Sequence, residues 1–311
     1  MNTPSTAPAP GTARGRRAAR SARTWRLPVA AVVVAVIALA GMAVLLYPTA
    51  ASWFSQLEQS RVIANSATSV DGDRGRENEQ LRLAHAYNKA LASGAVLDAN
   101  QRLPTGEGKS SDSSLNYDSI LKDSATGVMA RLMVPSIGVD LPIYHGTSDE
   151  TLLKGLGHLE GTSLPVGGSG THSVITGHRG LANATMFTDL DRVKEGDMFS
   201  LSVAGEVISY RVINTQVVDP DQTKPLQAVP GKDLVTLVTC TPLGINSQRI
   251  LVTGERVTPT PPADLEAAAA LPTIPGFPWW AVILAGGLLL ALVYVWRSGY
   301  APRIKAVQAA S

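Results

Sequence analysis

Two long stretches without a single charge do most to limit how this chain can fold. Leu27 to Tyr47 is a run of twenty-one residues rich in Ala and Val, and Trp279 to Trp296 adds another eighteen. At a helical rise of about 1.5 Å per residue, each run spans roughly the 30 Å core of a bilayer. Arg14, Arg16, Arg17, Arg20, Arg23 and Arg26 precede the first run, and no acidic residue occurs before Glu58. Arg297, Arg303 and Lys305 follow the second run without an acid, and Trp279, Trp280, Tyr294 and Trp296 sit near its ends, as interfacial aromatics do. A buried core helix is the ordinary explanation of an apolar run, but the length, the absence of charge and the basic flanks favour membrane spans. The positive-inside rule then puts both termini in the cytoplasm and the stretch between the spans outside. For the first run a cleaved signal sequence is the alternative, since Pro48-Thr49-Ala50-Ala51 supplies small residues after it.

Composition narrows the rest. Hydrophobic residues make up 45% and charged residues 17%, which excludes a mainly disordered, collagen-like or disulfide-scaffold chain. Lys and Arg total 27 against 25 acids, a balance that makes no general case for a nucleic-acid partner. The one cysteine, Cys240, excludes an intrachain disulfide and a multi-cysteine metal site. Asp219, Asp221 and Asp233 read as solvated loop acids rather than metal ligands, and no EF-hand or Gly-rich phosphate loop is visible. No metal or cofactor is expected.

The organisation reads as follows. Residues 1–26 form a disordered basic arm, and residues 27–47 a transmembrane helix or signal anchor. Residues 48–126 hold one or two helices, best around Gln80 to Tyr87, and a mobile loop at 93–114 containing Gly94, Pro104, Gly106 and Gly108. From 127 to 257 short apolar runs are broken by Gly and Pro, the texture of a β-domain. Candidate strands are Ala130–Val134, Leu141–Tyr144, Ser173–Thr176, Met198–Val203, Val207–Val218, Val235–Cys240 and Arg249–Val257. So many short strands with few helices imply a closed barrel or a sandwich. Thr147-Ser148-Asp149-Glu150 has capping-box spacing and predicts a short helix. Residues 258–275 read as a Pro/Ala linker, 276–296 as the second span, and 297–311 as a basic tail.

Within the β-domain three residues stand out. Cys240 ends a predicted strand and runs into Thr241-Pro242, which places a thiol at a sheet end. A lone cysteine is often just a small buried hydrophobe, but an unpaired thiol outside the cytoplasm risks oxidation with no structural gain. A nucleophilic thiol needs a cation or a proton carrier beside it. Of His85, His145, His158, His172 and His178, the placement favours His178, which also ends a strand in a Gly-flanked loop, Gly177-His178-Arg179-Gly180. Arg249 opens the strand after Cys240, so a hairpin pairing would bring its guanidinium to the thiol, where it could hold an oxyanion. An ordinary surface role remains open for each residue taken alone.

Together these residues resemble the sortases. Thr236-Leu237-Val238-Thr239-Cys240 matches that family's TLxTC signature, with His178 in Thr-Gly-His-Arg-Gly and Arg249 downstream in the other two catalytic positions. Leu141 to Thr147, Gly157 to Pro165 and Leu234 to Arg249 are similar to the class C, pilin-polymerising sortases, as is the C-terminal span; the likeness covers about 80–257. It implies an eight-stranded β-barrel with N-terminal helices, held by two transmembrane helices in the membrane of a gram-positive cell. Such an enzyme cuts LPXTG-type sorting signals of secreted pilins or surface proteins between Thr and Gly. It holds the chain as a thioester on Cys240 and passes it to a pilin lysine. The resemblance implies that His178 moves the proton and that Arg249, helped by the Thr239 region, holds the oxyanion. One departure is visible: the class often carries an Asp-Pro-aromatic lid, and the matching place here reads Asp98-Ala99-Asn100. Asp98 could still meet Arg249, but no ring follows it.

Two other readings compete. A sortase that anchors single proteins to peptidoglycan would share the thiol chemistry, and a membrane-tethered binding module would not need Cys240 at all.

Overall fold

The computed structural model describes residues 24–70, 74–91, 114–182, 184–272 and 274–300. They fall into two compact units, one of residues 24–44 with 283–300 and one of the described residues within 45–282. Two helices, α1 (Val29–Val70) and the last one, Trp279–Ser298, are long and apolar enough to cross a membrane. The first extends well past the expected end at Tyr47, with Pro48 inside it. In the first unit the Arg26 N–H donates to Gly299 O at 3.0 Å and Trp25 Nε1 to Trp296 O at 3.1 Å.

The second unit is built on strands. Helix α2 (Arg74–Ala90) presents Leu81, Ala84 and Tyr87 to the core at helical spacing. Then come β1 (Ala130–Val134), β2 (Val139–His145), α3 (Asp149–Lys154), β3 (Leu156–His158), β4 (Thr171–Thr176), β5 (Met198–Val203) and β6 (Glu206–Val218). The chain continues through β7 (Asp233–Thr241), β8 (Gln248–Val257), α4 (Pro262–Ala269) and α5 (Trp279–Ser298). The eight strands close a barrel in the order β1-β2-β3-β4-β7-β8-β6-β5, as the resemblance implied. Closure leaves no edge strand to be capped. Most neighbours are antiparallel, but β2–β3 and β4–β7 are parallel.

Alternation along the strands sorts the side chains. Val235 and Leu237 of β7, Ile175 of β4 and Ile250 and Val252 of β8 join the main core with Leu132, Ile143, Phe199 and Tyr210. The intervening residues, Val174, Val238 and Leu251, belong to a second cluster on the other face, with Leu159, Val218 and Leu226. Residues on that outer face are therefore roofed by the connections rather than by the barrel.

Three local details differ from the expectations. Strand β3 was not among the candidates. It is three residues long with Gly157 in its middle, which is too short and too glycine-centred for a periodicity to show. Helix α3 is capped by Ser148, whose side chain accepts from the Thr151 N–H at 3.2 Å, not by Thr147. Thr147 is buried, so the next hydroxyl along the chain takes the cap. The expected linker holds a helix, α4, started by Pro261 and Pro262. It is docked on the barrel by Arg131, which donates to Ala268 O and Ala270 O at 3.2 Å each while pairing bidentately with Asp140 at 2.6 and 2.7 Å.

Candidate active site

The parallel β4–β7 pairing decides what meets at the barrel end. Thr176 lies opposite Val238, and the ladder continues one step further with the Gly177 N–H donating to Val238 O at 3.0 Å. Carrying the same register and alternation forward sets His178 beside Cys240 on the outer face. The antiparallel β7–β8 ladder supplies the third residue, because Cys240 is the register partner of Arg249. Parity agrees with this placement: Val238 and Cys240 share one face of β7, while Leu251 and Arg249 share the matching face of β8.

Each of the three is held in a shaped environment. Cys240 is 7% exposed and packs against Leu152 of α3. Arg249 is 5% exposed, and its Nη1 donates to Asn246 O at 2.9 Å and to Gln248 O at 3.0 Å. The end of the β7–β8 loop and the first residue of β8 thus grip the guanidinium and fix its direction. His178 is half-buried at the start of a loop that folds back on itself, the Phe187 N–H donating to His178 O at 3.0 Å.

Burial acts on the two titrating groups in opposite senses. It pushes the Cys240 thiol above its ordinary value, with the Arg249 charge working against the rise. It pushes the His178 imidazole below its ordinary value, with the Asp149 carboxylate at the start of α3 opposing it. Both shifts favour the uncharged thiol and imidazole. The charged pair is therefore a minor form at neutral pH, reached by moving one proton from sulfur to nitrogen.

The other expected residues are placed as follows. Thr239 is fully buried on the inward face, and its hydroxyl donates to Gly177 O at 2.8 Å. That hydroxyl is committed to the β4 end and does not point to the thiol's face. Asp98 lies outside the described residues. The remaining histidines of the barrel serve structure: His158 bonds Tyr117 and Ser163 O, and His172 bonds Gln227 O and Thr236. His145 contacts Ile120 O at 2.8 Å. Among the described residues no group of three or more His, Cys, Asp or Glu could hold a metal ion. Sequence reasoning passed over Arg179. It stood in plain view beside His178, but its partners lie in distant segments.

Comparison with known proteins identifies the family. The family model described as the Sortase domain matches residues 132–257. Sortase D of Bacillus subtilis (strain 168) is 30% identical over 159 residues, covering 50% of this chain and 76% of that protein. Among solved structures, sortase C-1 from Actinomyces oris shares 49% identity at a TM-score of 0.53, covering 58% of this chain and 98% of its own. The Group B Streptococcus Pilus Island 1 sortase C2 shares 44% at a TM-score of 0.52, covering 58% and 97%. With its barrel, its thiol, imidazole and guanidinium at one end, and relatives matched over most of their own length, the chain belongs to the sortase family, and its structural neighbours are class C sortases.

Proposed function

We propose that this sortase polymerises pilins on the outer face of the membrane, with Cys240, His178 and Arg249 as its catalytic residues. The observation that carries the reading is the Cys240–Arg249 register pair, with the parallel β4–β7 ladder ending two residues before both His178 and Cys240. The pilin assignment is supported by the similar sortase C2 from a Group B Streptococcus pilus island and by the two apolar helices that precede and follow the barrel in the chain.

The chemistry runs in two halves. The Cys240 sulfur, as thiolate, attacks the Thr carbonyl carbon of an LPXTG-type signal, and a C–S bond forms. The guanidinium of Arg249 donates to the oxygen as it becomes an oxyanion. Collapse breaks the C–N bond to Gly, and the His178 imidazolium gives its proton to the departing amine. In the second half a lysine amine of the next pilin attacks the thioester, a new C–N bond forms, the C–S bond breaks, and His178 takes the amine's proton. The thioester retains the energy of the cleaved peptide, so the transfer needs no cofactor.

The test is the intact mass of the full chain in detergent micelles after incubation with an LPXTG peptide. Wild type is expected to carry the LPXT fragment, and Cys240→Ala to carry nothing. Adding a peptide with a lysine side-chain amine should then discharge the adduct into an isopeptide product. Discharge by a peptidoglycan stem-peptide amine in preference to lysine would assign the chain to wall anchoring instead. No adduct on wild type would overturn the thioester mechanism for this signal.

A further inference from the structure

The reacting pair stands between two cross-strand bonds of the same offset. Before it, Thr239 Oγ1 donates to Gly177 O, 62 residues away in the chain. After it, Arg179 Nη1 donates to Thr241 Oγ1 at 2.8 Å, again 62 residues away. The backbone ladder has ended by then, since β4 stops at Thr176 and β7 at Thr241. A side chain therefore takes over where the backbone register gives out, one residue past His178 and one past Cys240.

Arg179 is built for that work. Its Nε donates to Thr188 O at 3.1 Å, and its Nη2 pairs with the Asp191 carboxylate at 2.7 Å, with the arginine side chain only 9% exposed. The guanidinium spends its fork on three acceptors, two from the 188–191 segment and one from the end of β7. The Gly180 N–H donates to Thr188 Oγ1 at 3.2 Å, so the far side of the His178 loop is tied to the same point. A buried guanidinium so fully engaged resists rotation.

We propose that Arg179 is a positioning residue of this site: it locks the His178 turn to Thr241 and so fixes the distance between imidazole and thiol. The inference rests on the catalytic reading of His178 and Cys240 given above. Arg179 itself touches neither reacting atom. It acts through the two backbone segments it joins, and a misplacement of about 1 Å at such a pair costs on the order of 100-fold in rate.

Alkylation of Cys240 by iodoacetamide tests this without any assumption about substrate, because Cys240 is the only thiol in the chain. The rate is followed against pH on the full chain in detergent, for wild type, His178→Ala, Arg179→Ala, Arg179→Lys and Thr241→Val. The other charged groups around the pair are Arg249 of β8, Asp149 of α3 and Asp191, and they are unchanged throughout. Arg179→Ala and Thr241→Val should shift the alkylation profile toward that of His178→Ala although the imidazole is still present. Arg179→Lys should fall between, since one ammonium cannot serve three acceptors. With an LPXTG peptide the same variants should lose kcat with KM nearly unchanged. Thr241→Val is the mildest change, and its melting temperature beside wild type shows that the fold is intact. A wild-type profile in a folded Thr241→Val and Arg179→Ala would overturn the positioning role alone. A His178→Ala profile identical to wild type would overturn the thiol–imidazole pairing, and the proposal with it.

Discussion

Cys240 and His178 are shifted apart by burial, and this sets the pH dependence of the reaction. The thiol lies above its ordinary value of 9.0 and the imidazole below its ordinary 6.5. Activity in kcat/KM needs one proton shared by the pair, so it falls when both groups are protonated and when both are bare. The expected profile is a broad bell with its acid limb below 6.5 and its alkaline limb above the usual thiol range. An acid limb above 6.5 would contradict the desolvation of His178. Arg249 makes a second prediction at this scale. Its fork is aimed by Asn246 O and Gln248 O, and Arg249→Lys replaces a directed donor with a point charge. The variant should lose about 100- to 1,000-fold in kcat, with KM little changed, as read from steady-state rates on the peptide. The thiol, the histidine and the arginine of the proposed site stand out in the sequence because each ends or begins a strand pattern. Arg179 was not, because nothing local marks Thr188, Thr241 and Asp191 as its partners.

Among the elements, β3 shows why some structure escapes a sequence reading. Its three residues carry no visible alternation, and they form a strand because β2 and β4 flank them on both sides. Gly157 is required there because a Cβ would collide with Gly146 O and crowd Leu152. Gly157→Ala should therefore destabilise the barrel by about 2 kcal/mol. That corresponds to roughly 4–8 °C in Tm for a domain of this size, measured by thermal unfolding in detergent. Leu152 packs on Cys240, so the same substitution should also slow the reaction through α3. The longer strands were legible because their apolar residues recur along runs of five or more and Gly or Pro closes most of them. β1 and β5 have the expected ends, and the ends of the others differ by at most two residues, as at β2, which extends the expected Leu141–Tyr144 to Val139–His145.

The whole molecule inherits an acid sensitivity from its buried histidines. His158 is fully buried and its imidazole is pushed down to about 4, chiefly by desolvation. His172 and His145 are pushed down by the same cause. A histidine with a depressed folded value is neutral in the native state, while the unfolded chain takes up its proton near 6.5. Between those values the unfolded state binds more protons, so stability is full above about pH 6.5 and is lost as pH falls toward about 4. For His158 alone the loss is on the order of 3 kcal/mol. Chemical denaturation at pH 7.5, 6 and 5 should show a midpoint that falls with pH, and His158→Gln should flatten that fall. A second prediction concerns orientation. If the barrel faces outward, a membrane-impermeant maleimide should label Cys240 on intact cells, and Cys240→Ser should remain unlabelled. Labelling only after the membrane is broken would reverse the orientation.

By itself the sequence determined the properties that depend on neighbours along the chain. Uncharged length marked the two apolar helices, short broken runs marked a β-domain, and strand ends marked Cys240, His178 and Arg249. Those signals survive without tertiary structure because hydropathy and turn chemistry are local. Only the tertiary structure decided which strands lie side by side. The parallel pairing of β4 with β7 needs the β5–β6 hairpin to leave and return before the barrel can close, and contacts across such separations leave no trace in a short window of sequence. Closure then chose the face. A shift of one residue in either ladder would have turned Cys240 into the core and Thr239 to the surface, and the packed interior of Val235, Leu237, Ile250 and Val252 is what forbids that shift.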